Sequence, residues 1–156
     1  MMNRIYFSSL LVFVCLLGVQ AQNGQLSKVF QLGTEEQRYE QLTSVYSQSL
    51  LEAANGNITT AFEGWLDMQQ AMDRHAERVN FDLNGVKVWL HVFWNEQGQI
   101  DQLGYLLRPD SKLVDDAELR AFLADFIGQY TFPIRSGRKF SHYTGATFPT
   151  VSQRKM

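Results

Sequence analysis

The chain carries one cysteine, Cys15, and three prolines, Pro109, Pro133 and Pro149. Cys15 sits inside an N-terminal apolar stretch, so from Gln22 onward there is no thiol. That excludes a disulfide scaffold, a thiol nucleophile and a cysteine-ligated metal site in that part of the chain. Between Gln22 and Leu83 there is no proline, and the chain shows no repeat or low-complexity run, which excludes a stiff Pro-rich linker. There is no surplus of positive charge either. The formal net charge of -2 argues against a nucleic-acid partner, which requires a basic face. No His-Glu-x-x-His run, Gly-x-Ser-x-Gly elbow or phosphate-cradling glycine loop is present.

What is present begins with an export signal. Arg4 supplies a positive start, and Ile5 to Val19 is apolar apart from two serines. Val19-Gln20-Ala21 places small residues where a signal peptidase reads them, so cleavage is expected between Ala21 and Gln22. The apolar stretch is shorter than the roughly 20 residues of a spanning helix. The expected product is secreted or periplasmic, with no membrane span after cleavage. The bulky Val12-Phe13-Val14 before Cys15 speaks against a lipoprotein site.

With 156 residues, 45% of them hydrophobic and 19% charged, the chain has enough apolar surface for one folded domain. Its periodicities predict an α+β fold. A first helix is expected from Glu35 to Ala54, opened by a Thr34/Gln37 capping box, with Tyr39, Leu42, Tyr46 and Leu50 at helical spacing. A second is expected from Ala61 to Arg78, with Thr60 and Glu63 as its capping pair and a stripe of Phe62, Trp65, Leu66, Met72 and Ala76. The period then changes to two. Val79, Phe81 and Leu83 alternate before Asn84-Gly85, and Val86, Val88, Leu90, Val92 and Trp94 alternate after it, which predicts a hairpin. A further strand from Ile100 to Leu107, a helix opened by Asp115 and Glu118, and a last strand from Arg138 to Phe148 complete the order α-α-β-β-β-α-β. The domain boundaries that follow are a signal at 1–21, a helical segment at 22–57, an α+β domain at 58–149 and a frayed tail at 150–156.

One stretch carries a family pattern. Gly85, the Val86–Trp94 strand, Gly98, the Ile100–Leu107 strand, the Asp115–Tyr130 helix, Phe132-Pro133, Gly137 and the Arg138–Phe148 strand occur in that order. Over about residues 83–149 this resembles the C-terminal domain of TonB-type energy transducers. The resemblance implies antiparallel strands backed by a helix, and a last-strand edge that pairs with a short segment of an outer-membrane receptor by strand addition. Carried over, that edge is Arg138, Lys139, Phe140, Ser141, His142 and Tyr143. The chain departs from the family in its short, cleavable N-terminal segment and in having two helices where the transducers have a Pro-rich linker. It therefore looks like the receptor-contacting fold without its motor.

Other candidate residues have plainer readings. His75, His91 and His142 lie on separate elements with no further ligand at telling spacing, so no metal is implied. Asp115-Asp116 read as a helix N-terminus rather than a catalytic pair. Asn57-Ile58-Thr59 matches a glycosylation sequon but leads into a helix. Arg135, Arg138 and Lys139 read as protective charge beside a strand edge. Trp89, His91 and Phe93 share one face of a strand and form a candidate aromatic binding face.

The expected function is that of an exported, non-catalytic interaction module of the cell envelope, without a cofactor. It would bind a peptide segment or an envelope protein, or pair with itself as a homodimer, through a sheet edge. Two alternatives stand beside it: a small-ligand binder using the aromatic face, and a small secreted hydrolase. Expressed with its full leader in a Gram-negative host, the exported protein should begin at Gln22 by N-terminal sequencing. An unprocessed chain retained in the inner membrane would refute cleavage.

Overall fold

The computed structural model describes residues 27–150. The elements in chain order are β1 (Val29–Gln31), α1 (Glu36–Val45), β2 (Gln48–Ser49), α2 (Leu50–Ala53), α3 (Ile58–Val79), β3 (Lys87–Trp94), β4 (Ile100–Leu107), α4 (Asp116–Gln129) and β5 (Phe140–Thr147). The fold is α+β, with one five-stranded sheet in the order β1-β4-β3-β5-β2. The central three strands are antiparallel; β1 runs parallel to β4, and β2 parallel to β5. The expected signal segment and Cys15 lie outside the described residues.

The alternation that marked the strand after Gly85 divides it between two layers. Val88, Leu90, Val92 and Trp94 point to one face with Leu103, Tyr105, Phe140 and Ala146, and there they meet α3 and α4. Phe93 points to the other face, where Phe30 and Tyr46 cover it, with Leu32, Tyr39 and Leu42 packed alongside. The two largest helices and α1 thus sit on opposite sides, and both faces of the sheet are at least partly covered.

Several sequence expectations fail for physical reasons. The first helix does not run to Ala54. It stops at Val45 because Tyr46 turns its ring onto Phe93, centroids 5.4 Å apart, and gives its hydroxyl to Asp101 at 2.7 Å. Leu50, Ala53 and Ala54 belong to the core on the opposite face, so one straight helix cannot serve both. The chain instead passes the sheet border as β2. The Thr34/Gln37 box does not form, since the Thr34 hydroxyl donates to Gln31 O at 2.7 Å and Glu35 is the uncapped first position.

The second helix begins three residues early, capped by Asn57, whose side chain accepts from Thr60 N at 3.0 Å. It also extends through Val79 to a left-handed Asn80. That removes the first arm of the expected hairpin. Phe81 stacks on Phe122 at 4.6 Å and Leu83 is buried in the core, so these residues pack against a helix instead of pairing as a strand. The order α-α-β-β-β-α-β is accordingly replaced by the one above. Residues 29–31 and 48–49, from the segment expected to be purely helical, are strands of the same sheet.

Helix α4 follows the sequence pattern. Asp115 caps Glu118 N at 3.0 Å, and Leu119, Phe122, Leu123, Phe126 and Ile127 are buried. Gly98 holds the turn between β3 and β4 at φ +81°, and a Cβ there would sit 2.5 Å from Phe132 O. His75 is buried between α3 and α4 against Phe122 and Phe126. Its Nδ1 is 2.9 Å from Arg78, and its Nε2 is 2.8 Å from an Asp125 oxygen, off the line of a good hydrogen bond.

Of the tail expected to fray at 150–156 only Thr150 is described, and it is held in place; residues 151–156 lie outside the described residues. Thr150 is buried, and both its N–H and its hydroxyl donate to Asp73 Oδ2, at 2.9 and 2.8 Å. This ties the end of the last strand to the middle of α3. Asp73→Ala should lower the unfolding free energy by about 1–3 kcal/mol, the usual cost of removing a buried acceptor. A urea midpoint unchanged from the parent would show that the tie contributes nothing.

Candidate functional site

The border of β5 is the part of the sheet left least covered. Its phase follows from two neighbouring hydrogen bonds. Arg108 N donates to Lys87 O, and Phe148 N donates to Val86 O, both at 2.9 Å. Odd-numbered residues of β3 therefore bond β4 and even-numbered ones bond β5. With Val92 opposite His142, Leu90 opposite Thr144 and Val88 opposite Ala146, those three β5 residues turn their backbone groups inward. Tyr143, Gly145 and Thr147 turn theirs outward.

On that outer side lies only β2. It pairs Gln48 with Phe140 and Ser49 with Ser141. The Ser141 hydroxyl adds a bond to Tyr46 O at 3.0 Å, and Ser136 donates to Gln48 Oε1 at 2.7 Å. Among the described residues no strand lies beyond 142–147. The opposite border is better protected. There β1 pairs with Leu103, Gly104 and Tyr105, and Lys28 O and Leu32 N add two further bonds. Very short outer strands are a common way of blunting a sheet edge; here one of them covers only a quarter of its neighbour.

The expected edge is thus corrected in position. Arg138 and Lys139 precede the strand, and Lys139 lies over the Tyr46 ring at 5.1 Å. Phe140 and Ser141 are occupied by β2. His142 and Tyr143 belong to the open part, which continues through Gly145 and Thr147 beyond the expected range.

Beside the open backbone runs a groove of about 520 Å³ between β5 and the helices α2 and α3. Leu51, Ile58, Phe62 and Trp65 form its apolar wall, and His142, Thr144 and Gly145 its floor. Trp65 stands edge-on to the His142 ring, centroids 5.0 Å apart. Leu51 is 42% exposed, Ile58 73% and Phe62 62%. These three do not close a core, and they lie together beside unpaired backbone. The helical stripe containing Phe62 and Trp65 was legible in the sequence. That its first turn overhangs a strand border was not.

The aromatic face is split by α1. Phe93 is fully buried beneath the rings of Tyr39 and Tyr46. His91 is buried too, its Nδ1 sharing a hydrogen bond with the Tyr39 hydroxyl at 2.9 Å. Of the three expected residues only Trp89 reaches the surface. It stacks on Tyr143 at 5.8 Å and lies beneath the Arg108 guanidinium. Trp89 also spans Gly145, where an added Cβ would come within 3.2 Å of the indole.

Burial, with a smaller contribution from His142, pushes the His91 imidazole down to about 4, and burial lowers His142 as well. Among the described residues no group of three or more titratable side chains is placed to hold a metal ion, and no helix is long and apolar enough to cross a membrane.

No protein-family model matches the chain, and no curated protein or solved structure is significantly similar to it.

The histidines make stability depend on pH in a definite direction. The unfolded chain takes up a proton at His91 near 6.5, the folded chain only near 4. Stability is therefore complete above pH 6.5 and declines as pH falls toward 4. The loss attributable to His91 should be on the order of 2 kcal/mol. Urea unfolding at pH 7.5, 6 and 4.5 measures it, and His91→Gln should flatten the decline. A variant whose decline is as steep as the parent's would place the effect elsewhere.

Proposed function

We propose that the chain is a non-catalytic interaction module of the bacterial cell envelope, which takes up an extended segment of another protein as an additional strand along β5. The observation that supports this is the length mismatch at the border. Eight residues of β5 face two of β2, so Tyr143, Gly145 and Thr147 offer N–H and C=O groups in the alternation that a strand uses. The likeness of residues 83–149 to the TonB C-terminal domain points the same way, because strand addition is that family's mode of contact. That likeness is one of sequence motifs; the sheet itself has five strands in the order β1-β4-β3-β5-β2, which is not the order expected from it. The apolar leader favours an export route, so a partner segment at the outer membrane fits the compartment.

The rival reading of a small-ligand pocket on the aromatic face has less to stand on. Phe93 and His91 already have protein rings or hydroxyls over them.

A displayed library of random ten-residue peptides tests strand addition. Selected binders should slow amide exchange at Tyr143, Gly145 and Thr147, read by NMR. Tyr143→Pro removes one outward N–H while leaving the bonds to β3 in place. It should weaken binding at least about tenfold with little change in thermal midpoint. Binders that leave the three amides unprotected, or that ignore the proline, would refute the proposal.

A further inference from the structure

The groove beside β5 constrains what the added strand must look like, a step that rests on the strand-addition reading above. We infer that the occupant is a segment of another protein with apolar side chains at three alternate positions, seated between β5 and the Leu51, Ile58, Phe62 wall. The spacing follows from the strand itself. Directly opposed residues on neighbouring strands point to the same face. Partner residues opposite His142, Thr144 and Ala146 therefore face the groove, while those opposite Tyr143, Gly145 and Thr147 make the backbone bonds and face the Trp89 side. The open stretch of six residues is about 20 Å long and holds three groove-facing positions.

The groove's chemistry selects what fills them. Its volume of about 520 Å³ lies in the range of ligand sites, roughly 300–1,000 Å³, with room for several aliphatic side chains. Its wall is apolar, and three of its residues remain substantially exposed. Covering them releases the water that the free protein must order around Ile58 and Phe62.

Other occupants fit less well. A second copy pairing antiparallel through β5 would present His142, Thr144 and Ala146 to this face, and Phe140 and Ala146 already pack in their own core. Such a dimer leaves the groove unfilled. The chain's own C-terminal residues, Val-Ser-Gln-Arg-Lys-Met at 151–156, have no three apolar residues at alternate positions. The segment Gln-Asn-Gly-Gln-Leu at 22–26 has a single apolar residue, and it precedes β1 on the opposite border.

Two synthetic peptides of identical composition decide the matter. One is Lys-Val-Thr-Leu-Thr-Val-Thr-Lys, with three alternating apolar residues. The other is Lys-Thr-Thr-Val-Leu-Val-Thr-Lys, with the same three in a row. Calorimetric titration into the processed protein should show the alternating peptide binding at least about tenfold more tightly. Phe62→Ser and Ile58→Ser, both at exposed positions, should each remove most of that preference without moving the thermal midpoint.

Equal affinity for the two peptides, with both lost in Tyr143→Pro, would overturn the groove inference and leave strand addition standing. Binding of either peptide that is insensitive to Tyr143→Pro would overturn both. No binding by either, together with a concentration-dependent dimer that Tyr143→Pro dissociates in sedimentation, would assign the border to a second copy and overturn the inference. No binding and no dimer would also overturn it.

Discussion

Strand β5 is eight residues long, and the strand outside it is two. A backbone N–H or C=O in a sheet must find a partner or remain in water. Pairing with β3 satisfies one side of β5 along its whole length, and β2 satisfies the other side only at Phe140 and Ser141. The proposed function depends on the remainder, three outward-facing residues that no strand pairs among the described residues. The shortness of β2 has a structural origin. Tyr46 before it is anchored on one face of the sheet and Leu50 after it on the other. The chain has only the intervening residues in which to cross, so it cannot pair for longer.

The same crossing builds the groove. Because α2 and α3 start where the chain arrives on the second face, their first turns stand beside the border they have just passed. Leu51, Ile58 and Phe62 are the result: exposed apolar side chains on helices that send Leu50, Ala61, Trp65 and Met68 into the core, held over a floor of strand backbone. Open backbone and apolar overhang are two consequences of one change of face. The proposed strand addition would draw on both, since main-chain bonds supply affinity irrespective of sequence and alternate side chains supply selectivity. At the far end the chain is tied down again, by Thr150 on Asp73, so that the open stretch is bounded at both ends.

Legibility in the sequence followed the strength of the local signal. Helix α4 was readable to within a residue, because five apolar residues at helical spacing and the Asp115 cap act within one segment. Strands β3 and β4 were readable from alternation. The hairpin around Asn84-Gly85 was misread because Phe81 and Leu83 alternate as a strand would, yet meet an aromatic ring of α4 before they meet another strand. The long first helix was misread because Tyr39, Leu42, Tyr46 and Leu50 keep a helical period across a point where the required face reverses. Strands of two and three residues carry no periodicity to detect, so β1 and β2 were invisible. Which residues of the last strand lack a neighbour was not legible, since only the position of β2, opposite Phe140 and Ser141, decides which part stays open.

Residue type and local spacing account for the lack of cysteine from Gln22 onward, the α+β composition, and the α4 helix with the strands before and after it. These depend on residue type and on contacts a few positions apart. Which face each helix covers, where the first helix must break, and how much of β5 lacks a neighbour among the described residues follow only from the packed fold. Those outcomes depend on which of two apolar surfaces a side chain reaches, and a periodicity records that a side is apolar without recording which side of the sheet it will meet.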